Sequence, residues 1–193
     1  MARRQQEKSL ETRTELRNSA IELFGQNGFN ATTIADITRR AGYAKGNFYR
    51  YWKSKDDIFL TIMEERFKKY REGREEALAN ATGLEEVLDV ILNFLGAIID
   101  DGIWPKVFLE FTIHASGNNE LRLELHKGIY RLSSDLFADI FQPYQATDYP
   151  VKKIGGLVTA LFEGYLIQSL LGMKVVGKED LMKAVITLIK SME

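Results

Sequence analysis

The sequence contains no cysteine, which excludes disulfide bonds, thiolate metal sites and cysteine nucleophiles together. It has three prolines in 193 residues, and long stretches lack any turn-forming residue, which favours helices over a many-stranded sheet. His114 and His126 have no matched ligands nearby, so we expect no metal and no cofactor. A phosphate-binding glycine loop, a nucleophile elbow and a metal-binding histidine helix are also missing. The sequence therefore predicts a protein that is not an enzyme.

One stretch of the chain has the length of a membrane span but not its composition. Residues 155–173 are mostly apolar, but Glu163 lies at their centre, and a carboxylate in the middle of a bilayer is costly. The first residues are basic and polar, unlike a secretory signal. We therefore expect a buried helix in a cytoplasmic protein that has no membrane partner.

Charge is divided unevenly along the chain. Residues 1–55 hold eleven Lys or Arg against five Asp or Glu, a net charge of +6, and residues 56–193 have a net charge of −7. A basic segment on an acidic body indicates a polyanionic partner for that segment alone. The alternative is that the basic side chains form an ordinary solvated face.

Apolar residues recur at helical spacing almost everywhere, and no convincing strand is found. The first stripe is Leu16, Ala20, Leu23 and Phe24, and it ends at Gly28. We therefore predict an all-α protein of about nine helices. The other predicted helices span residues 34–41, 45–52, 54–80, 84–100, 104–115, 119–141, 150–172 and 178–190.

The segment from Thr33 to Trp52 has the layout of a helix-turn-helix, so we assign residues 1–53 to a DNA-binding domain. Such a unit holds its second helix in the major groove. Phe48 and Trp52 anchor the back of this helix and leave donors for phosphates and base edges on its front. The alternative is a helical hairpin with no DNA partner. The expected DNA contacts are Thr33, Lys45, Gly46, Asn47, Tyr49, Arg50 and Lys55.

This segment resembles the TetR family of bacterial transcriptional regulators through the run TTIADITRRAGYAKGNFYRYWKSKDDI and the preceding AIELFGQNGF. The match covers about 45 residues without a gap. The rest of the chain resembles the family in length and helical layout, with a loose likeness at LFEGYLIQSLLG. The resemblance implies a homodimer that binds a near-palindromic double-stranded operator, more often as a repressor than as an activator, and releases it when a ligand binds the body.

Two residues depart from that family's pattern. Ala44 stands where many members have Ser or Thr as the N-cap of the second helix, and this change costs about 0.5–2 kcal/mol of helix stability. Tyr43 stands where a small aliphatic residue is common. We expect its ring to pack on the sugar–phosphate backbone, which adds Tyr43 to the DNA contacts.

Residues 54–193 are predicted to form a helical domain for dimerisation and ligand sensing. Its helix over residues 150–172 is apolar almost all round and must be covered on several sides. Together with the last helix it suits a two-plus-two bundle between subunits. The alternative is that both helices fold into the core of the monomer. The expected interface residues are Gly156, Ala160, Gly164, Ile167 and Leu171.

Large aromatic residues and a lone acid in the same domain predict a cavity for a small hydrophobic or aromatic inducer. Aromatic residues at helical spacing also serve as ordinary core, which is the alternative. Glu163 is either an ion-paired core residue or a contact for a cationic ligand. The expected ligand contacts are Met63, Phe67, Phe94, Trp104, Phe108, Phe111, Tyr130 and Glu163.

Two other kinds of protein compete with a ligand-responsive DNA-binding regulator. One is an all-helical enzyme or lipid-binding protein whose basic N-terminal segment is incidental. The other is a DNA-binding dimer whose body takes no ligand. Salt-dependent DNA binding separates the first from a regulator, and release of DNA by a ligand separates the second.

Overall fold

A computed structural model describes residues 2–127, 138–144 and 150–190 of the chain. These residues form helices and connecting turns without a strand, which confirms the predicted fold class. None of the described helices is long and apolar enough to cross a membrane. The helices are α1 (Ala2–Ala31), α2 (Ile34–Arg40), α3 (Lys45–Phe48), α4 (Lys55–Asn80), α5 (Leu84–Ile99), α6 (Trp104–Ser116), α7 (Asn119–Leu125), α8 (Val151–Leu170) and α9 (Lys178–Lys190).

Most of the predicted helices agree with the structure to within one or two residues at each end, and three differ in other ways. Helix α3 ends at Phe48 instead of Trp52, and its N-cap Ala44 makes no side-chain hydrogen bond. Without such a cap little holds a short helix together, and the chain continues as a turn. Helix α1 begins at Ala2, and Gly28 interrupts it with φ 80° and ψ 173°. The predicted helix 119–141 is described only at its two ends.

The chain divides into two compact units. The first unit consists of Met1–Lys68 with Lys106–His114, and the second of Lys69–Pro105 with Ala115–Glu193. Helices α4 and α6 each contribute residues to both units. The functional division that we draw at residue 53 remains a prediction.

The first unit has a core of aromatic residues. Phe24, Phe29, Phe59 and Phe111 are fully buried. The ring centroids of Phe59 and Phe111 lie 4.4 Å apart in a stacked pair, and the Phe29 ring meets both edge-on at 5.0 Å. Four buried aromatic rings fix helices α1, α4 and α6 to one another within this unit, because such rings bury large areas in well-defined geometries.

The second unit has an aliphatic core between helices α5, α8 and α9. Each helix contributes a stripe at a spacing of three or four residues, which places the stripe on one face. The α9 stripe, for example, is Leu181, Val185 and Ile189. At the surface, Lys190 Nζ donates to Glu85 Oε1 at 2.6 Å. These contacts tie the last helix to α5.

Candidate nucleic-acid interface

A capping box opens the first helix of the helix-turn-helix. Thr33 Oγ1 accepts a hydrogen bond from the Asp36 amide at 3.1 Å, and the Asp36 carboxylate accepts one from the Thr33 amide at 3.3 Å. The hydrogen bond from the Thr33 hydroxyl, helped by Arg39, lowers the pKa of Asp36 below its ordinary value. Thr33 is exposed at this end, where helix N-termini favour anions such as phosphate.

The turn between α2 and α3 is held against α1 by Tyr43. Its hydroxyl donates to the Glu15 carboxylate and accepts from Thr12 Oγ1 at 3.4 Å. The nearby Glu15 carboxylate raises the pKa of Tyr43 above its ordinary value. Gly42, with φ 75°, makes the turn in a conformation that L side chains rarely adopt. In the proposed packing of the Tyr43 ring on the DNA backbone, the hydroxyl of that ring already forms hydrogen bonds with α1.

Helix α3 and the turn that follows it, residues 45–52, have one buried side and one exposed side, as a recognition helix requires. Phe48 and Trp52 are buried, with ring centroids 5.6 Å apart. No atom lies within 4 Å of the place where a Cβ on Gly46 would stand, so another molecule's backbone has room to approach. The exposed or half-exposed residues on the outer side are Lys45, Gly46, Asn47, Tyr49 and Arg50.

Lys55 differs from the other residues expected to contact DNA. Its Nζ donates to the Phe29 carbonyl oxygen at 2.8 Å and lies 4.2 Å from the centroid of the Phe29 ring. Burial lowers the pKa of this ammonium below its ordinary value. Lys55 thus fastens the start of α4 to the end of α1, and contact with a phosphate competes with these bonds.

Glu110, which sequence reasoning missed, fastens α6 to the same point of α1. Its Oε2 accepts a hydrogen bond from the Phe29 amide at 2.9 Å. That amide is available to a side chain because Gly28 departs from helical geometry. One turn further along α6, His114 Nε2 lies 2.9 Å from Asp56 Oδ1 on α4. The one sequence signal for this arrangement is the glycine at position 28.

We predict that Gly28→Ala destabilises the protein more than Gly42→Ala does. Both glycines have positive φ, so alanine at either position costs about 1–3 kcal/mol. A Cβ at position 28 would also lie 2.6 Å from Glu110 Oε2, whereas one at position 42 meets nothing within 4 Å. Denaturant unfolding should show a difference of about 1 kcal/mol or more, and Glu110→Ala should shrink it. Equal losses in the two variants would contradict the role given to Glu110.

The residues predicted to bind a ligand are divided between the two units. In the first unit, Phe111 is fully buried in the aromatic core, which is the alternative that the sequence left open. In the second unit, Phe94, Trp104 and Glu163 are half-buried. Tyr130 lies outside the described residues. The other three, Met63, Phe67 and Phe108, are in the first unit, where the Phe67 and Phe108 rings form an edge-to-face pair.

The residues predicted at the dimer interface lie on α8 and, for Leu171, at its C-cap, on a surface that the described chain leaves largely uncovered. Ile167 is 49% exposed and Leu171 is 73% exposed. Gly156 and Ala160 are exposed, and Gly164 is half-buried. The same helix presents further exposed apolar side chains, namely Leu157, Leu161 and Leu170.

The chain was compared with known proteins. Residues 16–62 match the family model described as bacterial regulatory proteins, tetR family. The DNA-binding segment of the chain is therefore similar to that of TetR-family regulators. The matched residues run from the apolar stripe of α1 through both helices of the helix-turn-helix into α4, so they contain most of the surface described above.

Two curated TetR-type regulators illustrate how far the likeness extends. The chain is 28% identical over 76 residues to the fatty acid metabolism regulator protein of Bacillus subtilis (strain 168), which is 39% of this chain and 39% of that protein. It is 36% identical over 128 residues to the HTH-type transcriptional repressor KstR2 of Rhodococcus jostii (strain RHA1), 61% of this chain and 62% of that protein. The chain therefore matches less than two thirds of the length of these relatives.

A solved structure extends the likeness in fold to almost the whole chain. FadR of Thermus thermophilus, a TetR-family transcriptional repressor solved in complex with lauroyl-CoA, superimposes with a TM-score of 0.68. The superposition covers 92% of this chain and 93% of FadR at 19% sequence identity. At that identity the comparison establishes the shared fold.

Proposed function

We propose that this protein is a ligand-responsive repressor of the TetR family that binds a near-palindromic operator as a homodimer. The observation that carries the proposal is helix α3, whose aromatic side is buried while its donor-bearing side is exposed. The match of residues 16–62 to a family model of bacterial regulatory proteins supports it. An enzymatic activity has no support from the residues described above.

The DNA contacts that we propose are Thr33, Tyr43, Lys45, Gly46, Asn47, Tyr49 and Arg50. Thr33 and Lys45 contact phosphates, because an amide-bearing helix N-terminus and an exposed ammonium attract the phosphates of DNA of any sequence. Asn47 and Arg50 contact base edges, since amide and guanidinium groups form paired hydrogen bonds with purines. We give Lys55 a structural role instead, because its ammonium already binds the end of α1.

The homodimer that we propose forms through the exposed apolar surface of α8. An apolar helix face of this size is unfavourable in water and is characteristic of subunit contacts. Gly156 and Ala160 leave room for the helix of a partner subunit to approach, because they carry little or no side chain. A two-fold dimer presents two copies of α3, which matches an operator with two similar half-sites.

The ligand site that we propose lies in the second unit, with Phe94 among its residues. The first-unit aromatic residues, Phe111 above all, serve as core in this proposal. A ligand releases DNA only if it binds the released conformation better than the DNA-bound one. Helix α4 is the connection that we propose for this response, since its sequence runs through both units.

Selection of bound duplexes from a random library tests the proposed function. We expect recovery of one near-palindromic site, with half-sites spaced by about one helical turn or a multiple of it. Affinity for that site should fall steeply as salt rises, because phosphate contacts release counterions. A protein that selects no duplex even at low salt would refute the proposal.

A further inference from the structure

Arg74 in helix α4 is a buried cation with few polar partners among the residues that the structure describes. Its side chain is 3% exposed, and its Nε has no hydrogen-bond partner among the residues that the structure describes. Its nearest carboxylate there is Glu75, whose Oε1 lies 3.6 Å from Nη2, longer than a hydrogen bond. The Glu75 side chain is 66% exposed, so its carboxylate is accessible to solvent. Native proteins rarely bury a charge in this condition without a functional reason.

The helix places Arg74 where an apolar residue is expected. Tyr70, Arg74 and Leu78 follow one another at intervals of four residues, so they lie on the same side of α4. Leu78 packs against the aliphatic core of the second unit. The Arg74 Cζ lies 4.9 Å from the centroid of the Phe94 ring, which in turn meets Tyr70 edge-on at 6.5 Å. The guanidinium therefore packs on the Phe94 ring, and the charged groups that act on it are Glu75 and Arg71.

These surroundings offset little of the charge. Burial lowers the pKa of Arg74 below its ordinary value, and Glu75 opposes this. A guanidinium nevertheless stays protonated in proteins, so the site remains positively charged. The face of the Phe94 ring attracts the cation but accepts few of its N–H hydrogen bonds. A carboxylate or a phosphate accepts two of these bonds at once and neutralises the charge.

We propose that Arg74 binds the anionic group of an amphipathic small molecule whose apolar part contacts Phe94 and the neighbouring apolar side chains. This inference rests on the proposed ligand response and specifies the class of ligand. It replaces the small hydrophobic or aromatic inducer predicted from the sequence by an amphipathic organic acid, either a carboxylate or a phosphate. Arg74, rather than Glu163, then decides the charge of the ligand.

Calorimetric titration of the full chain with three compounds of one chain length tests the proposal. Dodecanoate and dodecyl phosphate carry the two kinds of anion, and dodecanol carries none. We expect at least one anion to bind wild-type protein about tenfold or more tightly than dodecanol. In Arg74→Met this preference should vanish while dodecanol affinity stays within about twofold. Arg74→Lys should keep part of the anion preference, because it retains the positive charge. It should lose the rest, because an ammonium group lacks the bidentate geometry of a guanidinium.

Thermal unfolding of Arg74→Met without ligand is a second measurement. Because Arg74→Met removes a buried charge that lacks a partner and keeps the apolar stem, the midpoint of thermal unfolding should rise by about 2 °C or more. Lys69→Met, at an exposed position of the same helix, is the matched control and should change neither result. If Arg74→Met does not fold, Arg74→Gln removes the charge while keeping a polar group and enters the same titrations.

The outcomes separate this inference from the proposed function. If no anion binds wild-type protein better than dodecanol, or if the neutral variants keep the preference, Arg74 is not the anion site. A lower unfolding midpoint for Arg74→Met also overturns the inference, because it shows that the chain itself satisfies the guanidinium. DNA binding is measured separately, so an operator-binding protein without anion preference refutes the inference alone. An anion preference without DNA binding refutes the proposed function alone.

Discussion

Ala160→Arg should convert the proposed dimer into a monomer that retains its fold. Ala160 is exposed in the single chain, so arginine there disturbs no packing within the subunit. In the proposed dimer the new charge is buried without a partner, which costs several kcal/mol. The dimer dissociation constant should therefore rise by about hundredfold or more. Sedimentation velocity measures the association, and circular dichroism with thermal unfolding verifies that the subunit is intact.

Loss of the dimer should weaken operator binding by a similar factor, because one subunit engages one half-site. Ala97→Arg provides the matched control, since Ala97 is an exposed alanine on helix α5 of the same unit. That variant should remain dimeric and bind the operator normally. A folded dimer from Ala160→Arg would show that the subunits meet through another surface.

Asn47→Ala and Lys45→Ala should impair DNA binding in two distinguishable ways. Asn47 is proposed to read a base edge, so its removal should cost about 1–3 kcal/mol at its base pair in each half-site and relax the preference there. Lys45 is proposed to bind a phosphate. Its removal should weaken all sequences alike and reduce the salt slope by about one per recognition helix. Titrations of the selected site and its point variants at several salt concentrations measure both effects.

Lys183→Ala is the control for these measurements. Lys183 is an exposed lysine of helix α9 in the second unit, so removal of its charge should leave the salt slope and the sequence preference unchanged. If Lys45→Ala changes sequence preference while Asn47→Ala acts on all duplexes equally, the two assignments are reversed. If neither variant differs from wild type, α3 does not contact DNA.

The helix-turn-helix could be predicted because its determinants are local. Thr33 and Asp36 form a capping box within four residues of sequence, and Gly42 supplies the turn. Phe48 and Trp52 recur at the spacing of one helix face, and both are buried. The uncapped Ala44 precedes a helix that is shorter than the periodicity predicts. Local rules therefore determined the helices of the helix-turn-helix, and the bounds of each helix follow from hydrogen bonds at its ends.

The apolar surface of α8 was also evident from the sequence, although its exposure was not. An apolar stripe predicts a covered face, but the pattern is the same whether the cover comes from this subunit or from another. Ile154 and Val158 are buried in the second unit, while Ile167 on the same helix and Leu171 at its C-cap are exposed. The difference arises because only part of α8 packs against α5 and α9, which is a property of the tertiary structure.

The sequence by itself determined the all-α fold, the helix-turn-helix and its likeness to the TetR family, because periodicity, capping and turn chemistry act between residues that are neighbours in sequence. Only the tertiary structure decided the partners of its charged residues. The Glu110 carboxylate meets the Phe29 amide across 81 residues, and the Lys55 ammonium binds α1 instead of facing outward. Arg74 lies in the charged run REGREE and looks like part of a solvated face. It is buried because Phe94, twenty residues away, packs on its guanidinium, and no local pattern specifies such a contact.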